Sequence, residues 1–247
     1  MENFKEKIIV ITGGNSGIGL ATAIAFKSKD ATVIITGRRK DAVESCANKY
    51  GFVPFVADQA KLSDINALYQ FIAQQFGHID ILFINAGITG TNELIENMTE
   101  ENFDQVMSIN LKGAYFTLSK GISLLAPNAS VLILSSIAAQ FHFPKSSVYQ
   151  ASKAAIVSVG KTAAKELASR NIRVNMISPG PTKTEVLSKT PEGKANSEAV
   201  FISLKEQIPL KRIGQPEEIA QMALFLSSNH AKFITGSEFI LDGGLTL

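Results

Sequence analysis

Apolar and polar positions alternate between two periods along the chain. Ile8-Ile9-Val10-Ile11, within 7–12, is an unbroken β-branched run, the pattern of a strand covered on both faces. From Gly17 to about Ser28 the apolar positions recur at helical spacing. The exchange then repeats. Strands are predicted over Thr32–Thr36, Phe52–Ala57, Ile79–Ile84, Val131–Leu134, Arg173–Ile177 and Glu238–Leu241. Helices are predicted over Asp41–Lys49, Asp64–Phe76, Tyr149–Arg170 and Pro216–Leu226, the last with proline at its start. Ser63 is expected to cap Asp64–Phe76 and Gly77 to stop it. Thr99 is expected to cap a long helix that runs past Asn110 to about Leu125. Residues 181–209, with three prolines, break the rhythm.

Seven strands alternating with six helices predict an α/β fold, a doubly wound parallel sheet with helices on both faces. No linker composition, repeat or low-complexity stretch divides the chain, so one domain is expected over 1–247.

Ligands of such sheets bind beyond the carboxyl ends of the strands. The distinctive residues fall there: Gly13, Arg38, Asp58, Asn85, Ser136 and Pro179. The first strand runs into Thr12-Gly13-Gly14-Asn15-Ser16-Gly17-Ile18-Gly19 and then into a helix. Glycines there let the backbone turn tightly and approach a pyrophosphate, which the free N–H groups of the helix start would bind. The spacing is Gly-x-x-x-Gly-x-Gly rather than the commoner G-x-G-x-x-G. The second constellation is Tyr149-Gln150-Ala151-Ser152-Lys153. Residues i and i+4 share a helix face, and an ammonium beside a phenol is expected to favour the phenolate and lower its pKa. Such a pair can exchange a proton with a carbonyl or alcohol oxygen.

Composition narrows the field. With 24 basic and 22 acidic residues and a net charge of +2, the chain carries no footprint for nucleic acid or an anionic membrane. A hydrophobic content of 45% without an 18-residue apolar stretch fits a globule with a sizeable core rather than a membrane span. The N-terminal run is too short for a signal peptide, and Cys46 has no partner for a disulfide, so a cytoplasmic protein is expected. His78, His142 and His230 lack ligand spacing, so no metal is expected. His142, between Ser136 and Tyr149, is a candidate for pocket lining, whereas Ser135 reads as a simple strand end.

Taken in order, Thr12-Gly-x-x-x-Gly-x-Gly19, Asp58, Asn85-Ala86-Gly87, Asn110, Ser136, Tyr149-x-x-x-Lys153 and Pro179-Gly180 resemble the short-chain dehydrogenase/reductase family over essentially the whole chain. The resemblance implies a single Rossmann-type domain, a nicotinamide cofactor, a small carbonyl or alcohol substrate and a homotetramer. It implies Tyr149 as general acid/base, Lys153 on the nicotinamide ribose, Ser136 on the substrate oxygen and Asn110 placing a water that links Lys153 to solvent. Asp58 and Asn85 would lie along the adenosine half, and Thr182 and Thr184 would meet the carboxamide. Residues 137–144 would form one pocket wall and 181–209 a lid, both mostly apolar. The ketoreductase of fatty acid synthesis is one such relative, so an acyl carrier protein is a candidate partner. A non-catalytic dinucleotide-binding relative would not need the full Asn110, Ser136, Tyr149 and Lys153 set. Enoyl reductases of the family space their tyrosine and lysine more widely.

Cofactor choice is read from the end of the second strand. An acidic residue about 20 positions beyond the glycines binds the ribose 2′-hydroxyl of NAD. Here Gly37-Arg38-Arg39-Lys40 offers no carboxylate and two guanidiniums, which predicts NADP(H), with NAD(H) as the second option. Ser16 departs from this pattern, since many NADP-using relatives carry a basic residue inside the glycine turn. The helix from Tyr149 carries small or apolar residues on more than one face, so its second face is expected to meet another copy.

Overall fold

The computed structural model describes residues 3–184 and 202–247. Its strands are β1 (Ile8–Ile11), β2 (Thr32–Gly37), β3 (Val53–Val56), β4 (Ile79–Ile84), β5 (Leu125–Leu134), β6 (Arg173–Pro179) and β7 (Glu238–Leu241). They form one sheet in the order β3-β2-β1-β4-β5-β6-β7, every neighbouring pair parallel. The order reverses between β1 and β4, and that switch point opens the crevice where ligands of such sheets sit.

The two-sided burial has a direct cause. In β1 all four residues are buried, Ile8 and Val10 toward one face and Ile9 and Ile11 toward the other. One face is covered by α3 (Leu62–Gln75), α4 (Glu100–Met107), α5 (Ala114–Gly121) and α6 (Ser147–Leu167). The other is covered by α1 (Gly17–Lys27), α2 (Lys40–Tyr50) and α7 (Pro216–Ser227). Gln215 and Glu218 close a capping box at the start of α7, where Pro216 needs no N–H partner.

Three local expectations change. The N-cap of α3 is Lys61, and Ser63 lies inside the first turn, where its hydroxyl donates to Asp64. Asp64 instead turns its other oxygen to the Asp58 N–H at 2.9 Å. The helix that Thr99 caps does not continue as one α-helix. Ser108–Gly113 form a π-helical turn between α4 and α5, and Asn110 sits in it. β5 starts six residues early, because Leu125 already pairs with Ile79 before a register shift. Of the expected lid, Val186, Leu187 and Phe201 lie outside the described residues, while Ile202 is exposed and Leu204 half-buried. Among the described residues no helix is long and apolar enough to cross a membrane, and no group of His, Cys, Asp and Glu could hold a metal ion.

Candidate active site

Parallel strands bring their carboxyl ends to one edge. Read along the sheet, that edge carries Asp58 after β3, Arg38 after β2, Gly13 after β1, Asn85 after β4, Ser136 after β5 and Gly180 after β6. The candidate cofactor and proton-transfer residues thus form one continuous row.

The glycine turn is held from below by the ends of β1 and β4. Gly13 and Gly17 take φ of +65° and +53°, which an L side chain would strain, and a Cβ on Gly19 would overlap the Gly13 carbonyl. Asn85 donates to the carbonyls of Thr12 (2.8 Å) and Gly13 (3.2 Å), and Thr12 Oγ1 accepts from the N–H groups of Asn85 and Ala86 at 3.0 Å each. Asn85 therefore ties the ends of β1 and β4 together. Ser16 is the N-cap of α1 but makes no side-chain cap bond, and the first turn holds no acidic residue. Among the described residues no side chain caps the N–H groups that open α1, which suits an anion, as a pyrophosphate site requires. Thr184 lies over this turn: a Cβ on Gly17 would stand 3.4 Å from its methyl group. Thr182 Oγ1 donates to the Gly180 carbonyl at 3.0 Å, and the Gly180 N–H donates to Leu241 at 2.9 Å, which anchors the turn after β6 on β7.

Around the start of α6 the four expected proton-transfer residues come together. Ser136 Oγ accepts from the Ala138 N–H at 3.2 Å, and its hydroxyl is close enough to the Tyr149 phenol to lower the phenol's pKa. Lys153 is 5% exposed; its ammonium donates to the Leu134 carbonyl at 2.8 Å and lies 5.8 Å from the centre of the Tyr149 ring. A Cβ on Gly87 would stand 3.2 Å from Asn110 Oδ1 and 3.5 Å from Lys153 Nζ, so both residues converge on that glycine. Asn110 is buried. Its amide accepts from the Ile88 N–H (2.9 Å) and donates to the Ile88 carbonyl (2.8 Å) and to Ser152 Oγ (3.1 Å). The π-turn presents this polar residue inward, where an exposed mid-helix asparagine would otherwise be expected.

The electrostatics correct one expectation. The neighbouring Lys153 ammonium does not bring the Tyr149 phenol below its ordinary value. Burial raises the phenol above its ordinary value, and the bond to Ser136 offsets only part of that rise. Burial also lowers the Lys153 ammonium from 10.5 to about 8. Both groups are pushed toward their neutral forms, as desolvation requires. Two supporting residues were not singled out in the sequence. Ser135 is more than a strand end: its buried hydroxyl donates to the Lys153 carbonyl at 3.2 Å. Ser152 donates to the Tyr149 carbonyl at 2.7 Å. Hydroxyls that bond backbone three residues back, or across elements, leave no spacing signal.

A stability prediction follows from Lys153. Between pH 8 and 10.5 the unfolded chain keeps a proton that the folded chain has released, so this lysine makes stability rise with pH across that window. The contribution is about 3 kcal/mol at 1.36 kcal/mol per unit. Denaturant unfolding across the window should show wild type gaining about that much on Lys153→Met. A constant gap between the two would overturn the burial argument.

The family model described as enoyl-(acyl carrier protein) reductase matches residues 13–246. The chain belongs to the short-chain dehydrogenase/reductase family. It is 37% identical to a 3-oxoacyl-(acyl-carrier-protein) reductase of Thermotoga maritima, with 98% of each chain covered. It is 34% identical to an NADP-dependent (R)-specific alcohol dehydrogenase of Lentilactobacillus kefiri, covering 99% of this chain and 98% of that one. The solved 3-ketoacyl-(acyl-carrier-protein) reductase of Brucella melitensis, complexed with NADH, superposes with a TM-score of 0.90 at 31% identity, over 99% and 100% of the two chains. This short-chain dehydrogenase/reductase is thus an oxidoreductase by family, with a nicotinamide dinucleotide as the family's cofactor.

Proposed function

We propose that the chain is an NADP(H)-dependent carbonyl reductase in which Tyr149 is the general acid. The observation that carries this reading is Ser136 and Tyr149 set beside the buried Lys153 ammonium at the end of β5, with β4 alone between β5 and the strand that leads into the glycine turn. A bound nicotinamide would supply the hydride. The chain's residues do the rest. The glycine turn and the open start of α1 would hold the pyrophosphate, Asp58 and Arg38 would flank the adenosine end, and Thr182 and Thr184 would meet the carboxamide. Lys153 would bind the adjoining ribose, and Asn110 would hold the water leading out from it. Ser136 would donate to the carbonyl oxygen as charge develops there, and Tyr149 would pass its proton to that oxygen.

The pKa directions favour reduction. A raised phenol pKa keeps Tyr149 protonated near neutral pH, the form a general acid needs. Alcohol oxidation would need the phenolate and so a higher pH. Reduction should weaken above about pH 8, as Lys153 loses its charge. Three residues separate Tyr149 from Lys153, which favours carbonyl over enoyl reduction. The test is loss of NADPH absorbance with a ketone panel; no turnover with any ketone or 3-oxoacyl thioester would sink the proposal. A second reading, reduction of a carrier-bound 3-oxoacyl thioester, draws on the Thermotoga maritima relative. Faster turnover of an acetoacetyl thioester than of aryl ketones would select it.

For the cofactor, a Cβ on Gly37 would stand 2.6 Å from Asn15 Oδ1 and 2.9 Å from Val43, so the position that would carry a carboxylate for NAD is filled by Asn15. Arg38 and Arg39 are exposed, and Arg39 caps α2 without a side-chain bond, which leaves backbone donors beside two guanidiniums. Together they would take a 2′-phosphate. A hydrogen bond to a charged group contributes about 1.5–3 kcal/mol, so Arg38→Ala should weaken NADPH roughly 10–150-fold and leave NADH nearly unchanged. Higher kcat/KM with NADH than with NADPH in the unaltered enzyme would refute the assignment.

The chain would work as a homo-oligomer, a tetramer on the family pattern. On α6 Ala151 and Ala154 are exposed, and a groove of about 850 Å³ runs between α4–α5 and α6, lined by Met107, Leu111, Tyr115, Phe116, Ala155 and Val159. Ala154→Glu would cost a monomer little but would bury a charge if a second copy packs on α6. Sedimentation should show an oligomer that this variant dissociates. A concentration-independent monomer in the parent would defeat the prediction.

A further inference from the structure

We propose that Gln150 is a specificity-determining residue, which fixes the Phe141–His142–Phe143 wall beside Tyr149 so that the site takes ketones bearing an aryl substituent. The inference rests on the carbonyl-reductase reading.

Gln150 follows Tyr149 directly and is 9% exposed. Its Nε2 donates to the Phe143 carbonyl at 2.6 Å and to Ser146 Oγ at 2.7 Å. A carbonyl can only accept, so the amide orientation is set, and Oε1 accepts from His142 Nδ1 at 3.2 Å. One buried side chain thus binds three successive points of the loop between Ser136 and the general acid. Two further ties hold the same loop. Gln140 Nε2 donates to Glu238 on β7 at 2.7 Å, and the Glu93 N–H donates to the Lys145 carbonyl at 2.9 Å. Gln150 is the tie that connects the wall to the helix carrying Tyr149.

The held segment is aromatic. Phe141 and Phe143 pack edge to face with ring centres 5.0 Å apart, and both stay about two-fifths exposed. Residues 137–144 contain no carboxylate, lysine or arginine. Two half-exposed rings, kept in register by buried amide bonds, suit a flat apolar group, because aromatic contacts depend on ring geometry as well as buried area. Without Gln150 the rings remain but their register beside the reacting carbonyl is lost, and misplacement on the ångström scale is costly for catalysis.

The experiment compares kcat/KM for acetophenone and acetone with NADPH in the parent, Gln150→Ala and Gln150→Met. The methionine keeps the volume while removing all three bonds, and it decides the matter where the alanine variant does not fold. Both variants should lower the acetophenone-to-acetone ratio about tenfold, mainly through KM for acetophenone, with NADPH binding within about twofold of the parent. A ratio within about twofold of the parent overturns the assignment, since a merely structural role would lower both ketones alike. A parent that reduces neither ketone overturns the aryl-ketone assignment, and the functional reading falls with it only if the wider ketone panel and the 3-oxoacyl thioester are refused as well; an active parent with unchanged ratios in the variants refutes only the role of Gln150.

Discussion

Tyr149→Phe should lower turnover by about 10²–10⁴-fold while NADPH binds within about twofold of the parent. The variant keeps the ring that packs beside Lys153 and removes only the hydroxyl beside Ser136. Loss of one hydrogen bond in a partly buried site costs about 0.5–1.5 kcal/mol of stability, too little to unfold the domain. The main loss should therefore lie in kcat, because a proton transferred in the transition state contributes little to ground-state binding. Single-turnover reduction of a ketone, with NADPH binding followed by fluorescence, separates the two. Turnover within about twofold of the parent would remove Tyr149 from the proton-transfer role.

Much of the fold was legible because its cause is local. The β-branched runs of β1 and β2 and the apolar run of β4 are buried on both faces, and each read as a strand within one or two residues. What escaped depends on partners distant in sequence. β5 begins at Leu125 through pairing with Ile79, although Pro127 and Asn128 within it look like a turn. The π-turn at Asn110 is stabilised by the loop after β4, through Ile88, and helical spacing alone cannot show it. The candidate site divides in the same way. The i,i+4 pairing of Tyr149 and Lys153 was visible, but the sign of the phenol shift was not. Spacing reports which charge is near, whereas the shift is decided by how much water is excluded. The Leu134 carbonyl that receives the Lys153 ammonium, and the Ser135 hydroxyl that holds its backbone, come from the end of β5.

Ser136→Ala should lower kcat by roughly 10²–10³-fold, the usual loss on removing one donor to a developing oxyanion. The hydroxyl is held for that task. Its oxygen accepts from the Ala138 N–H at 3.2 Å, which leaves its single proton for one acceptor at a time, the Tyr149 oxygen before a ketone binds and the carbonyl oxygen afterwards. Ser136 also helps to set the acidity of Tyr149, because its bond lowers a phenol pKa that burial raises. Its removal should therefore shift the pH dependence of alcohol oxidation to higher pH in addition to reducing the rate, as the phenolate loses its donor. A residue that merely packed would change neither. Because the two hydroxyls act on one oxygen, the double variant Ser136→Ala/Tyr149→Phe should be only a little slower than Tyr149→Phe alone. Fully multiplicative losses in that cycle would show two independent roles and refute the shared-oxygen geometry.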